Sequence, residues 1–271
     1  MPGFERPALV ATDLDGTLLR DDKSVSQYTR DVLRRVADKG IRIVPVTARQ
    51  RYGLIPIAEA AGLSGLGICA NGAAVVDIAT GDALLTRPIP ADEVARLVGA
   101  IKQADPRVLF ATIGPEGEWF RAEADYIESS QFSDHNLAPS EMTIVGQDGL
   151  AAECSKVVLR CPGEPATVTL ERLRHEMGDC MATTSGAPMV EVMAPGVSKS
   201  STLEVLCARL GVAREQVWAF GDAANDVDML RWAGTAFAVE NACDEVREVA
   251  AHVVGSNEDD GVARQLATLL E

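Results

Sequence analysis

Positive charge is scarce in this chain beside negative charge. Its 25 lysines and arginines stand against 40 aspartates and glutamates, for a formal net charge of −15 and a pI ≈ 4.7. That deficit argues against a surface built for nucleic acid or for an anionic membrane. A phosphorylated substrate stays open, because a locally positive cleft can oppose the overall field. No apolar run approaches the ~20 residues of a membrane span, and Met1 to Pro7 shows no basic segment leading into an apolar one, so neither an anchor nor a secretory leader is read here. A cytoplasmic location is the expectation. The six cysteines (Cys69, Cys154, Cys161, Cys180, Cys207, Cys243) include no C-x-x-C pair, which disfavours a zinc site or a disulfide framework and predicts reduced, mostly buried thiols. His135, His175 and His252 have no ligand spacing, and none takes a catalytic role. What remains, 47% hydrophobic and 24% charged over 271 residues, suits a globular protein with a full core in one or two domains.

Strand and helix patterns alternate at both ends of the chain. Ala8 to Ala11 reads as a buried strand; Ser24 or Ser26 can cap a helix running to Lys39, which Gly40 stops. Ile41 to Val46, the helix Arg51 to Ala61 and the strand Leu66 to Ala70 continue the alternation, which predicts a parallel sheet with helices on both faces. From about Thr86 to Val190 the texture changes. Strand-like pieces (Val108 to Ile113, Glu118 to Ala122, Lys156 to Arg160, Met189 to Met193) flank two helical ones, Asp92 to Gln103 and Thr167 to Met177. Alternation then resumes with helix Ser200 to Leu210, strand Val217 to Phe220, helix Asn225 to Trp232, strand Thr235 to Val239 and two further helices. The expected organisation is a core domain in two parts, 1–86 and 191–271, with an α+β module inserted at 87–190.

Chemistry gathers at the predicted strand ends. The first strand runs into Asp13-Leu14-Asp15-Gly16-Thr17-Leu18, which places two carboxylates at the edge where open α/β sheets bind ligands. Like charges this close require a proton or a cation, although the motif alone could be a strand-ending turn. The second strand ends at Thr47-Ala48-Arg49, where Thr47 by itself reads equally as a helix cap. Lys199 opens a helix, a position that the helix dipole disfavours for a cation and that favours an anion-clamping role. Gly221-Asp222 ends another strand, with Asn225 following and Asp226 one helical turn on. If these strands are neighbours, three carboxylates converge into an oxygen-only donor set of the kind that suits Mg²⁺.

Taken in order, these motifs resemble the haloacid dehalogenase superfamily. The long insertion, Asn71-Gly72-Ala73 and the tail Asn257-Glu258-Asp259-Asp260-Gly261 resemble its Cof-type branch, which has a large α+β (type IIB-like) cap. The resemblance implies a doubly wound, Rossmann-like parallel-sheet core and a phosphatase that works through an aspartyl-phosphate. It implies Asp13 as nucleophile and Asp15, held protonated, as acid and base. It implies Mg²⁺ on Asp13, the Asp15 carbonyl and Asp222, with Asp226 behind them, and phosphate contacts from Leu14, Thr47, Ala48, Lys199 and Asn225. Arg49 and Asn71 become possible substrate contacts, and Glu123, Asp125 and His135 possible readers of the leaving group. In the cap, Trp119, Phe120, Tyr126 and Phe132 read as packing residues. Two positions depart from the branch: Ala48 and Ser200 stand where glycine is usual. The expected partner is a small phosphorylated metabolite, a sugar phosphate above all, with no nucleic acid or membrane and a monomer or homodimer as the assembly. A phosphomutase of the phosphomannomutase kind, or a non-catalytic binding protein on the same fold, are the alternatives.

Overall fold

The computed structural model describes residues 6–271; Met1–Glu5, most of the segment read above for a leader, lie outside the described residues. The first part of the chain forms β1 (Leu9–Thr12), α1 (Gln27–Asp38), β2 (Arg42–Pro45), α2 (Arg51–Ala61), β3 (Leu66–Cys69), β4 (Ala74–Asp77) and β5 (Ala83–Thr86). The middle forms α3 (Ala91–Ala104), β6 (Leu109–Ile113), β7 (Phe120–Ala122), α4 (Ala124–Glu128), α5 (Phe132–His135), β8 (Thr143–Ile144), α6 (Gln147–Leu150), β9 (Lys156–Arg160), α7 (Ala166–Leu173), β10 (Met181–Thr183) and β11 (Val190–Met193). The last part forms α8 (Lys199–Leu210), β12 (Val217–Gly221), α9 (Val227–Trp232), β13 (Thr235–Val239), α10 (Asp244–Val249), β14 (His252–Val254) and α11 (Gly261–Ala267).

The core is a five-stranded parallel sheet in the order β14-β13-β12-β1-β2. All four β1 residues are buried, as a strand covered on both faces requires. Because β1 lies between β12 and β2, the chain leaves it on one side and returns on the other, and the ends of all three strands open on one crevice. Local chemistry sets the helix limits: the Ser26 hydroxyl, not that of Ser24, caps α1 by accepting from the Thr29 N–H at 2.9 Å.

Leu66 to Ala70 does not extend the parallel sheet as expected. β3 meets the residue just past β2 through a single parallel bridge, Val46 to Ile68, and pairs instead with β4, which pairs with β5 in an antiparallel three-stranded sheet. The reason is the turn after it: Ala70, Asn71 and Gly72 have φ of 52°, 55° and 100°, which reverse the chain at once, whereas a parallel partner needs a crossover of a dozen or more residues.

The inserted module is a six-stranded sheet, β10-β11-β9-β6-β7-β8, with its own apolar core around Leu97, Phe110, Leu159 and Val192. Its strand Glu118 to Ala122 shortens to β7, and its helix Thr167 to Met177 becomes α7 followed by a 3₁₀ turn. The division into core and cap at 87–190 is one we propose with a single adjustment. β11 pairs with β9 and β10, so the return to the core follows Met193. Five cysteines are buried, Cys243 is partly so, and all six are free thiols. Among the described residues no helix is long and apolar enough to cross a membrane.

Candidate active site

Three strand ends build the site. β1 delivers Asp13, β12 delivers Asp222, and the loop after β2 delivers Thr47, Ala48 and Arg49. The first turn of α8, capped by Ser198, brings in Lys199, which is fully buried. Its Nζ donates to Asp13 Oδ1 and Asp226 Oδ1, each at 2.6 Å. Burial works against the ammonium, yet the two carboxylates outweigh it and hold Lys199 firmly protonated. Asp226 also organises the loop after β12: its Oδ2 accepts from the N–H groups of Asp222 and Ala223, each at 3.1 Å.

Asp13, Asp222 and Asp226 each present a carboxylate oxygen within 4.8 Å of the others. Burial pushes the Asp13 carboxyl well up, Lys199 pulls against it, and the charges of Asp226 and Asp222 push it further. Asp222 is pushed up to about 6, by burial first and then by Asp226, against a hydrogen bond from Thr17. Crowded, partly desolvated hard oxygen donors of this kind fit Mg²⁺, whose charge would relieve the repulsion. Two small features hold Asp222 in register. The Thr17 hydroxyl donates to its Oδ1 at 2.6 Å, and Gly16, at φ +81°, leaves room where a Cβ would lie 2.5 Å from its Oδ2.

Asp15 is not held protonated as expected. Arg49 donates to both of its oxygens, Nε at 2.5 Å and Nη2 at 2.7 Å, and Lys23 Nζ lies 3.1 Å away. Burial raises this carboxyl, but the two cations outweigh burial and hold it below the usual range. Arg49 is thus engaged with Asp15 in this structure.

The phosphate contacts foreseen from the sequence gather around the same crevice. Thr47 is buried, and its hydroxyl accepts from the Arg49 N–H at 3.1 Å, so it orders the loop as well as facing the site. Ala48 has no left-handed φ, so alanine replaces the usual glycine without strain. Ser200 lies inside α8, where serine is a better helix former than glycine. The Leu14 side chain is fully buried in the core, leaving its main chain to face the turn. Asn71 does not face the crevice freely. It is buried, its Oδ1 accepts from Asn225 Nδ2 at 3.0 Å, and its Nδ2 donates to Glu191 of the cap at 3.2 Å.

Above the crevice is a cavity of about 550 Å³, walled on the core side by Asp13, Asp15 and Arg49 and on the cap side by His135, Lys156 and Glu191. Lys156 and Glu191 form a buried ion pair, and Lys156 also donates to the Ala48 carbonyl at 3.0 Å. Of the cap readers suggested by sequence, His135 lines the cavity; Glu123 instead accepts from the Phe110 N–H and pairs with Lys102. His135 shares a 2.8 Å hydrogen bond with Tyr126, and burial lowers it to about 4, so it is neutral.

The haloacid dehalogenase-like hydrolase profile matches residues 10–266. The chain belongs to that family. Relatives span nearly its whole length. A 5-amino-6-(5-phospho-D-ribitylamino)uracil phosphatase of Bacillus subtilis, YitU, is 28% identical over 96% of this chain and 97% of its own. The pyridoxal phosphate phosphatase YbhA of Escherichia coli is 28% identical over 94% and 96%. A haloalkanoate-superfamily phosphatase structure from Bacteroides thetaiotaomicron superposes with a TM-score of 0.81 at 24% identity, covering 99% of this chain and 97% of that one, which supports the fold. The chain is therefore a Cof-type member of the superfamily and a phosphoric monoester hydrolase. Sequence reasoning passed over Thr17, Lys156 and Glu191. Thr17 stood inside the first motif, but nothing in the sequence distinguished the cap pair.

Proposed function

We propose that this hydrolase removes phosphate from a small phosphorylated metabolite, a sugar phosphate being favoured, in a Mg²⁺-dependent reaction through phosphorylated Asp13. The observation that carries the reading is the convergence of Asp13, Lys199 and Asp222 at one sheet edge beneath the cavity. An Asp13 oxygen attacks phosphorus, and the bond from phosphorus to the ester oxygen breaks with its electron pair on the alcohol. Asp15 gives that oxygen a proton; to do so it must first release Arg49 and take up a proton from solvent. Asp15 then takes a proton from the water that cleaves the Asp13 acyl phosphate, releasing inorganic phosphate and the free carboxylate. Lys199, the Thr47 hydroxyl, Asn225 and the N–H groups of Leu14 and Ala48 are the donors proposed for the phosphoryl oxygens. Asp13, the Asp15 carbonyl and Asp222 would hold Mg²⁺, which when bound supplies charge neutralisation to the transferring phosphoryl group. Asp226 acts from behind, fixing Lys199.

The substrates in the relatives' names, a ribitylaminouracil phosphate and pyridoxal phosphate, support a small metabolite as substrate. We place the enzyme in the cytoplasm as a monomer or homodimer with no macromolecular substrate. The test is release of inorganic phosphate from a panel of phosphorylated metabolites with Mg²⁺, comparing wild type with Asp13→Asn. Wild type should act on several panel members and the variant on none. Equal turnover by both proteins would remove Asp13 as nucleophile.

A further inference from the structure

The sequence offers Asn71 as a substrate contact, yet both ends of its amide are taken up by protein. Resting on the phosphatase reading above, we propose that Asn71 and Glu191 are positioning residues for phosphoryl transfer. Glu191 fixes the polarity of an amide chain that turns Asn225 Nδ2 towards the phosphoryl oxygens. Glu191 lies on β11 and Asn71 in the turn after β3, 120 positions apart, and both are buried. Their chain runs in one direction only. An ionised carboxylate has acceptors alone, so Asn71 must turn its Nδ2 to Glu191 Oε2, at 3.2 Å. The Asn71 Oδ1 then faces Asn225, which must answer with its Nδ2, at 3.0 Å. Because the Asn225 Oδ1 is buried, Nδ2, with a second N–H to give, is the amide atom left for the cavity that Asn225 lines. A flipped Asn225 would set a carbonyl oxygen against phosphoryl oxygens and repel them.

The main chain of Asn71 acts in the same sense. Its N–H donates to the Thr47 carbonyl at 3.0 Å. In a trans peptide a carbonyl and the following N–H point opposite ways, so this bond turns the Ala48 N–H away from the Asn71 turn. Asn71 thereby aims two of the donors proposed for the phosphoryl group. It does so at φ 55°, a conformation that asparagine tolerates better than most residues. Glu191 is held in turn by Lys156, which also donates to the Ala48 carbonyl at 3.0 Å, and by the Ser185 hydroxyl at 2.5 Å. Burial raises the Glu191 carboxyl, but Lys156 and the hydrogen bonds outweigh it and keep it ionised. The cap therefore reaches the phosphoryl end of the crevice and not the leaving group alone.

The test is turnover of p-nitrophenyl phosphate with Mg²⁺ by wild type, Glu191→Gln, Asn71→Gly and Asn225→Ala, with the first two variants also combined with the third. Glutamine keeps the shape of Glu191 but can donate as well as accept. Glycine takes the left-handed backbone freely and leaves the pair of Lys156 and Glu191 intact. Each single variant should lower kcat roughly tenfold or more. In the Asn225→Ala background, Glu191→Gln and Asn71→Gly should each cost less than about threefold more, because the group they aim is gone. A role confined to seating the cap would cost as much in either background, and that additive result overturns the proposal. If Glu191→Gln does not fold, the Asn71→Gly cycle gives the same decision. The exchange of Glu191→Gln with Asn71→Asp keeps one carboxylate in the chain and again forces Asn225 to donate, so it should recover most of the Glu191→Gln loss. A folded exchange variant as slow as Glu191→Gln also overturns the proposal. Asn225→Ala turning over like wild type has a different meaning: it removes Asn225 as a phosphoryl donor, and the positioning role falls with that reading.

Discussion

Replacing Asp222 with asparagine should stabilise the metal-free protein while removing its response to Mg²⁺. A carboxyl that ordinarily titrates near 3.8 is pushed up to about 6 at this position. With about 1.4 kcal/mol for each tenfold change in proton affinity, keeping Asp222 ionised in the folded state costs about 3 kcal/mol. The sign follows from proton counting: between pH 4 and 6 the folded protein holds more protons here than the unfolded chain, so this group's contribution to stability falls as pH rises. The cost is fully present above about pH 6. Asparagine has no charge to desolvate and keeps an Oδ1 that accepts from Thr17, so little else is lost. Urea unfolding in EDTA should therefore show the variant ahead of wild type by about 2–3 kcal/mol at pH 8, with the gap closing towards pH 4. Adding Mg²⁺ should reverse the order, because wild type alone gains binding energy in its folded state. A variant less stable than wild type at pH 8 in EDTA, or a gap that ignores pH, would refute the electrostatic account of this site.

Asp15→Asn should slow hydrolysis of alkyl phosphates roughly a hundredfold or more and cost less with p-nitrophenyl phosphate, whose leaving group needs little protonation; equal losses, with phosphorylation rate-limiting in both, count against Asp15 as the acid. Arg49→Met removes the main cation holding Asp15 below the usual carboxylate range, so in the free enzyme the Asp15 proton should persist to higher pH and the alkaline limb of the kcat/KM profile should move up. A limb that stays in place would separate Arg49 from the acid step. Gly16→Ala puts a methyl group 2.5 Å from Asp222 Oδ2 at φ +81°, and calorimetric titration should show Mg²⁺ affinity reduced at least tenfold, about 1.4 kcal/mol or more.

Much of the core was legible because its signals are local. A buried run ending in two aspartates needs no distant partner to be recognised, and a lysine at the unfavourable end of a helix announces a compensating charge nearby. The identity of that charge was less accessible. Lys199 meets Asp13 across 186 positions, and Thr17 meets Asp222 across 205, pairings that only the strand order creates. The protonated Asp15 expected from its neighbour's charge gave way to an ion pair, because Arg49 arrives from a different strand end. The parallel third strand gave way to a hairpin because two non-glycine residues take left-handed φ at Ala70 and Asn71. In the cap, Lys156 and Glu191 look in sequence like ordinary residues on two strands; pairing of β9 with β11 makes them a buried couple.

The acidic wall of the cavity also governs how a substrate arrives. Six carboxylates and three cations line it, on a molecule whose net charge is −15. On the proposed reading, a phosphate dianion approaching from solution is repelled at long range and is captured on reaching the end of the crevice where Asp13 and Asp222 would hold Mg²⁺. A field of that sign slows encounter, and added salt, which shortens the screening length from about 30 Å at 0.01 M to about 8 Å at 0.15 M, should speed it. This is the reverse of the salt response of an enzyme that draws its substrate in by charge. For the proposed substrate, encounter then depends on its concentration and not on electrostatic guidance.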